Sequence, residues 1–166
     1  LDMDAYYETH DPSRKFFPMM SSRGCPYSCI FCNTPTLHGR RFRFRSARNV
    51  VEEMKTLAEK YMVQHILFYD DTFTMDMTRA ESICDEIHRN QLSVSWRIRT
   101  RVDRVNRRLL YKLKKAGCNV ISYGVETSSN KFLDVLEKKY TIDDVRKAFR
   151  MTKEAGIKIL GYFILG

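Results

Sequence analysis

The stretch Leu109-Leu110-Tyr111-Lys112-Leu113-Lys114-Lys115-Ala116-Gly117-Cys118-Asn119-Val120-Ile121-Ser122-Tyr123-Gly124-Val125 changes its hydrophobic period midway. Leu109, Leu110, Leu113 and Ala116 fall on one face of a helix. Gly117 then stands where a helix end calls for φ > 0. Val120 to Val125 follows as a short apolar and aromatic run that suits a buried strand. The same helix–Ala-Gly–strand join recurs at Ala155-Gly156, ahead of a strand over Ile157 to Phe163.

Outward from this unit the pattern repeats. Helical stripes run through Val50, Val51, Met54, Leu57, Ala58 and Tyr61, through Ala80, Ile83, Cys84 and Ile87, and through Val145, Ala148, Phe149 and Thr152. Thr141 with Asp144 three residues on forms a capping box at the start of the last. Strands are expected near 19–23, over Gln64 to Tyr69 and over Val94 to Ile98. Strands alternating with helices imply βαβ units, a parallel sheet and right-handed crossovers. The fold class is therefore α/β, an open parallel (β/α) barrel, since five strands do not close a barrel of the usual eight. Its concave face is expected to carry Phe68, Tyr123 and Tyr162 or their immediate neighbours, with helices on the convex face. Residues 1–18, broken by Pro12 and Pro18, read as an N-terminal connector, and 19–166 as the core.

A chain of 166 residues with 43% hydrophobic content is enough for one domain with a real core. No apolar run approaches the ~20 residues that span a bilayer. A start at Leu1 reads as an excerpt from a longer protein. The formal charge is +9, from 29 Lys and Arg against 20 Asp and Glu. That excess suits nucleic acid or an anionic substrate, or is balanced by further segments. Arg40, Arg41, Arg43, Arg45 and Arg48 interleave with Phe42 and Phe44; this could hold phosphates and stack bases, but the alternation equally fits an edge strand with one apolar face.

In Arg23-Gly24-Cys25-Pro26-Tyr27-Ser28-Cys29-Ile30-Phe31-Cys32, three thiols sit in one loop after the first strand. Iron–sulfur cubanes take Cys thiolates as ligands, and three of them leave one iron open. Structural zinc asks for four ligands, usually as two spaced pairs; no second pair exists, although Cys84 or Cys118 could supply one ligand from afar. With five cysteines and no leader segment, a disulfide framework is not expected. Barrels of this kind gather their sites at the carboxyl ends of strands. That rule assembles the cysteine loop, Asp70, Asp71 and Thr72, then Arg99 and Arg101, then Glu126 and Thr127 on one rim. Cys84 and Cys118 read as ordinary buried cysteines.

The C-x3-C-x2-C spacing with Phe31 before the last Cys resembles the radical S-adenosylmethionine superfamily. Gly124-Val125-Glu126-Thr127 resembles its strand-four motif, and Tyr69-Asp70-Asp71-Thr72-Phe73-Thr74 stands where many members carry Gly-Gly-Glu. Ser22-Arg23-Gly24 and the double Asp are similar to the subgroup with a cobalamin-binding domain, which includes magnesium-protoporphyrin IX monomethyl ester oxidative cyclases and methyltransferases. The resemblance implies a partial barrel of six βα units, five of them present, truncated before the sixth strand. It implies a four-iron four-sulfur cluster on Cys25, Cys29 and Cys32, S-adenosylmethionine on the open iron, and its reductive cleavage to a 5′-deoxyadenosyl radical. Phe31 would lie against the adenine, the groups around Asp70, Asp71 and Thr72 would meet the amino group, and Glu126 would hold the ribose hydroxyls. Cobalamin would be bound by a domain outside this chain. The resemblance further implies a cytoplasmic enzyme, a small-molecule substrate such as a tetrapyrrole, and an electron donor such as flavodoxin or ferredoxin, with no nucleic acid. The alternatives are a methylthiotransferase acting on tRNA or protein, which usually brings a second cysteine triad upstream, and a zinc-stabilised nucleic-acid-binding module.

Overall fold

The computed structural model describes residues 16–165. Five strands form one sheet in strict chain order: β1 (Phe16–Met19), β4 (His65–Phe68), β5 (Ser95–Thr100), β6 (Cys118–Glu126) and β7 (Lys158–Phe163). Every pair is parallel. Between β1 and β4 lie a two-residue antiparallel ladder, β2 (Ser22–Arg23) with β3 (Arg43–Phe44), and the short helix α1 (Thr34–Leu37). The crossover helices are α2 (Ala47–Tyr61), α3 (Met77–Arg89), α4 (Arg107–Lys115) and α6 (Ile142–Glu154); a further short helix α5 (Asn130–Val135) precedes α6. This is the expected α/β architecture, an open parallel sheet consistent with a partial barrel.

Each crossover helix starts on a side-chain cap, which satisfies backbone N–H groups that have no partner within the helix. Ser46, Asp76 and Asn106 accept from Asn49, Arg79 and Leu109, and Thr141 with Asp144 closes the expected capping box. The Ala-Gly join ends α4 as the sequence suggests. Gly117 has φ +95, and a Cβ there would come within 2.6 Å of the Val94 carbonyl oxygen, so only glycine lets the chain turn into β6.

The helices touch one another in sequence, α2 to α3, α3 to α4 and α4 to α6, forming one layer. Between that layer and the sheet lies the core. Phe68, Phe73 and Trp96 meet with ring centroids 4.9–5.6 Å apart, and the buried Trp96 indole donates to the Ala116 carbonyl at 2.7 Å. Tyr123 packs on Phe149 of α6 at 5.6 Å, and its hydroxyl meets that of Thr152 at 2.7 Å. Burying each such aromatic contributes on the order of 2–3 kcal/mol.

Two expectations are corrected, the start of the first strand and the helix count, and a third is met by neighbouring residues. The first strand begins at Phe16, inside the stretch read as a connector. Pro18 is tolerated because β1 is an edge strand among the described residues, paired there with β4 alone; the remainder of the connector lies outside them. The concave-face expectation is met by neighbours, while Phe68 and Tyr123 themselves face the helices. Their strand neighbours Tyr69, Ser122 and Gly124 take the concave side together with Tyr162, because successive side chains alternate. The short helices α1 and α5 were not expected. On the far edge, β7 carries the exposed Leu160, Tyr162 and Phe163 and pairs only with β6 among the described residues.

Candidate functional site

The cysteine loop leaves β2 through Gly24, which has φ +88; a Cβ there would stand 2.2 Å from the Arg41 carbonyl oxygen. From this point the loop is fastened on three sides. On the β4 side, the Gly24 N–H donates to the Asp71 carboxylate at 2.8 Å, and the same carboxylate accepts from the Thr34 hydroxyl at 3.1 Å and meets His38 Nδ1 at 2.9 Å. On the α5–α6 side, the Ser28 hydroxyl donates to Glu137 at 2.6 Å, and the Ile30 N–H to the Leu136 carbonyl at 3.4 Å.

The third fastening is Arg101, only 5% exposed. Its guanidinium lies 3.5 Å over the Tyr27 ring and 5.0 Å from that of Tyr140, a cation held between two aromatic faces. It donates to both Asp103 carboxylate oxygens at 2.8 and 3.0 Å, to the Lys138 carbonyl at 2.5 Å, and toward Cys29 Sγ at 3.8 Å. Burial works against its charge, yet the hydrogen bond and charge of Asp103 hold its pKa above the ordinary arginine value. Cys29 shows the reverse balance. Burial pushes its thiol pKa up, against the pull of Lys138 and Arg101.

A cavity of about 500 Å³ opens at the carboxyl ends of the strands, and Cys25, Cys29 and Cys32 all line it, with Thr72, Arg101, Glu126 and Tyr162 opposite. A hollow of about 700 Å³ at the amino ends, between Met62, Gln64, Ser93 and Gly117, is lined by no thiol or carboxylate and has no comparable chemistry. Glu126 ends β6 at a register shift against β7, with φ +68. Its carboxylate is paired with Lys138 Nζ at 3.0 Å, both side chains nearly buried. A non-glycine residue held in the left-handed region costs energy and persists where its surroundings fix it, often at functional sites. Here Tyr140 donates to the Gly124 carbonyl at 2.5 Å, and the Ile164 N–H to the Glu126 carbonyl at 2.9 Å.

The structure thus brings the three loop cysteines, Phe31, Asp71, Thr72, Arg99, Arg101 and Glu126 to one cavity. Asp70 is the exception. It is 1% exposed, and its carboxylate accepts from the Ser21 N–H at 2.7 Å, the Ser21 hydroxyl at 2.6 Å and the Ser22 hydroxyl at 2.5 Å. Its side chain braces the β1–β2 connection and does not reach the cavity; burial pushes its pKa up, against those three bonds. Cys84 and Cys118 are buried away from the cavity, and burial pushes the Cys84 thiol up to about 12. The basic stretch supplies fasteners: Arg45 donates to the Met20 carbonyl and Asn49, and Arg43 to the His38 carbonyl. Sequence reasoning passed over Lys138, Tyr140, Tyr27 and His38.

The donor chemistry tests what such a loop could hold. Among the described residues no three or more His, Cys, Asp or Glu side chains form a group able to hold a metal ion. Cys25, Cys29 and Cys32 nevertheless line one cavity. Three thiols around one cavity mouth, unaided by any fourth thiol, suit a cluster whose ligands bind separate irons. The residues present fit a cubane.

Known proteins carry the same core. An uncharacterized methyltransferase of Pyrococcus horikoshii is 35% identical over the whole chain, which covers 36% of that protein. An anaerobic magnesium-protoporphyrin IX monomethyl ester cyclase of Rubrivivax gelatinosus is 32% identical over 87% of the chain and 26% of its own length. The chain spans about a quarter to a third of the curated relatives it matches. Among solved structures, the radical S-adenosylmethionine methyltransferase TsrM from Kitasatospora setae, with tryptophan and a cofactor analogue bound, superposes with a TM-score of 0.84. It is 23% identical, over 97% of this chain and 32% of that one. The cobalamin-dependent radical enzyme OxsB superposes with a TM-score of 0.78 at 23% identity, over 89% of this chain and 23% of that one. Residues 19–166 match the model of the radical SAM superfamily, whose enzymes use a four-iron four-sulfur cluster and S-adenosylmethionine, and the chain belongs to that superfamily.

Proposed function

We propose that this chain is the radical-generating core of an enzyme of the cobalamin-associated subgroup, acting in methyl transfer or in oxidative cyclisation of a tetrapyrrole. The observation that carries the reading is the convergence of Cys25, Cys29, Cys32 and Glu126 on one cavity, held by strand ends that are far apart in the chain. Cys25, Cys29 and Cys32 hold the cluster. When bound, the cluster supplies the single electron that cleaves S-adenosylmethionine. All other work falls to the chain.

Asp71 and Arg101 hold the ligand loop in place. Phe31 lies against the adenine, and backbone groups around Asp71 and Thr72 meet the amino group. Glu126 accepts from the ribose hydroxyls, with Lys138 as its counter-ion at 3.0 Å. Tyr140 and Tyr27 flank the Arg101 guanidinium and so hold it where it donates toward the sulfur of Cys29. Among the described residues no helix is long and apolar enough to cross a membrane. An electron donor such as flavodoxin or ferredoxin and a reducing cytoplasm complete the reading, since free thiols persist in reducing compartments. The methyltransferase and cyclase relatives support this subgroup over the methylthiotransferase alternative, toward which a putative methylthiotransferase of Methanocaldococcus jannaschii, 27% identical, is the pointer.

The test is binding of S-adenosylmethionine to the full-length reconstituted protein, followed by the change in the cluster's electron paramagnetic resonance signal. A hydrogen bond to a charged group contributes roughly 1.5–3 kcal/mol, so Glu126→Ala should weaken binding about tenfold to a hundredfold with cluster content unchanged. Unaltered affinity removes Glu126 from the site.

A further inference from the structure

The concave face of the sheet below the cysteine loop carries positive charge that has no carboxylate partner among the described residues. In β5, Trp96, Ile98 and Thr100 are buried toward the helices, so the alternating Arg97 and Arg99 stand on the opposite, concave face. Arg99 lines the cavity of the three cysteines. Cross-strand register adds a third cation: Arg97 lies beside Val120 of β6, and Val120 beside Lys158 of β7, so Lys158 shares the row and the face.

None of these three cations has a carboxylate partner among the described residues. The contrast with the rim is plain. Arg101 is paired with Asp103, Lys138 with Glu126, and the Asp71 carboxylate is consumed by Gly24, Thr34 and His38. Within the concavity the other register partners are uncharged, namely Pro18, Leu67, Ser122 and Leu160. Arg99 is also held in place: its guanidinium lies 4.6 Å from the centre of the Tyr69 ring, stacked rather than paired. Arg97 and Arg99 are two residues apart on one strand, about 7 Å at the usual rise. That distance suits two oxygens of one anionic group, or two anionic groups of one ligand. A concave wall with one sign of charge focuses its field and draws in the opposite sign.

We propose that Arg97 and Arg99, with Lys158 beside them, form an anion-binding floor to the cavity, and that the substrate taken there carries a carboxylate or phosphate group that this floor orients. The inference rests on the proposed function for the cavity above it. Guanidinium groups take both anions through bidentate, charge-assisted hydrogen bonds. They anchor the end of the substrate remote from the cysteines and leave its other end near the site of hydrogen abstraction.

The experiment uses the full-length, anaerobically reconstituted protein at low ionic strength, with pyrophosphate and citrate as separate probes in calorimetric titrations. Wild type should bind at least one. Tighter pyrophosphate binding assigns a phosphoryl-bearing substrate, and tighter citrate binding a carboxylate-bearing one. The double variant Arg97→Gln, Arg99→Gln should weaken the better probe by about tenfold or more. Arg99→Lys, which keeps the charge and loses the fork, should recover part of it. Lys114→Gln, on the outer helix α4, should leave binding as it is, which separates the floor from general surface charge. Iron and sulfide content, read on the same samples, belongs to the proposed function and should not change in the double variant. Absence of binding by both probes, or equal binding by wild type and the double variant, overturns the anion floor while leaving that function standing.

Discussion

Asp71→Ala should loosen the cysteine loop before it affects anything else. The Asp71 side chain is 12% exposed and receives the Gly24 N–H at 2.8 Å and the Thr34 hydroxyl at 3.1 Å, with His38 Nδ1 at 2.9 Å. Hydrogen bonds to a charged group contribute roughly 1.5–3 kcal/mol each. The three share one carboxylate and do not add fully, and His38 is partly solvated. The Gly24 N–H decides the outcome, since its backbone is fixed at φ +88 against Arg41 and cannot turn toward another acceptor. A loss of about 3 kcal/mol in local stability follows, or about a hundredfold in the opening equilibrium. Amide hydrogen exchange of residues 24–38 in the metal-free protein reads that opening directly. Asp71→Asn, which keeps one acceptor oxygen, should fall between. Wild-type protection of Gly24 in Asp71→Ala, with an unshifted global transition, would show that the carboxylate does not hold the loop.

Arg101→Met keeps bulk but removes the charge between Tyr27 and Tyr140 and leaves Asp103 unpaired; it should cost about 2–3 kcal/mol, read from the urea midpoint, and an unchanged midpoint refutes the fastening role. Trp96→Phe keeps the aromatic contacts but orphans the Ala116 carbonyl, at a cost of about 1–3 kcal/mol in the same assay. Asp144 is held below its ordinary value of 3.8 by the backbone N–H and hydroxyl of Thr141. A carboxylate depressed in the folded state stabilises above its unfolded pKa and loses that contribution as pH falls through the folded one. The gap in thermal midpoint between wild type and Asp144→Ala should therefore be open near neutrality and close below 3.8; a gap that stays constant with pH contradicts the capping argument.

Much of this architecture is legible in the chain because its signals are local. The stripe Leu109-Leu110-Leu113 closed by Ala116-Gly117, and the Thr141–Asp144 box, each specify an element boundary from a handful of neighbours. Where the decisive contact is distant, the sequence is silent. Pro18 looks like a break until β4 is seen to lie on only one side of it. Phe68 and Tyr123 are aromatic residues in strands whose two faces are both partly apolar, so periodicity groups them without saying which face the helices cover. Asp70 and Asp71 are adjacent and identical in type, yet one braces Ser21 and Ser22 inside the fold and the other clamps Gly24 at the cavity; alternation along the chain separates them only once the face is known. Lys138 and Tyr140 enter the site from the α5–α6 connection, which has no motif of its own. The cysteine triad was legible because its whole spacing lies within eight residues of one loop.

The most direct test of the account is the metal content of that loop. Anaerobic reconstitution of the full-length protein with iron and sulfide should load about four of each per chain, with the broad visible absorbance of a cubane. The variant Cys25→Ala, Cys29→Ala, Cys32→Ala should load none, while Cys84→Ala and Cys118→Ala should load as wild type does. Full loading of the triple variant, or tight binding of zinc without sulfide by the wild-type protein, would contradict the assignment of these three cysteines.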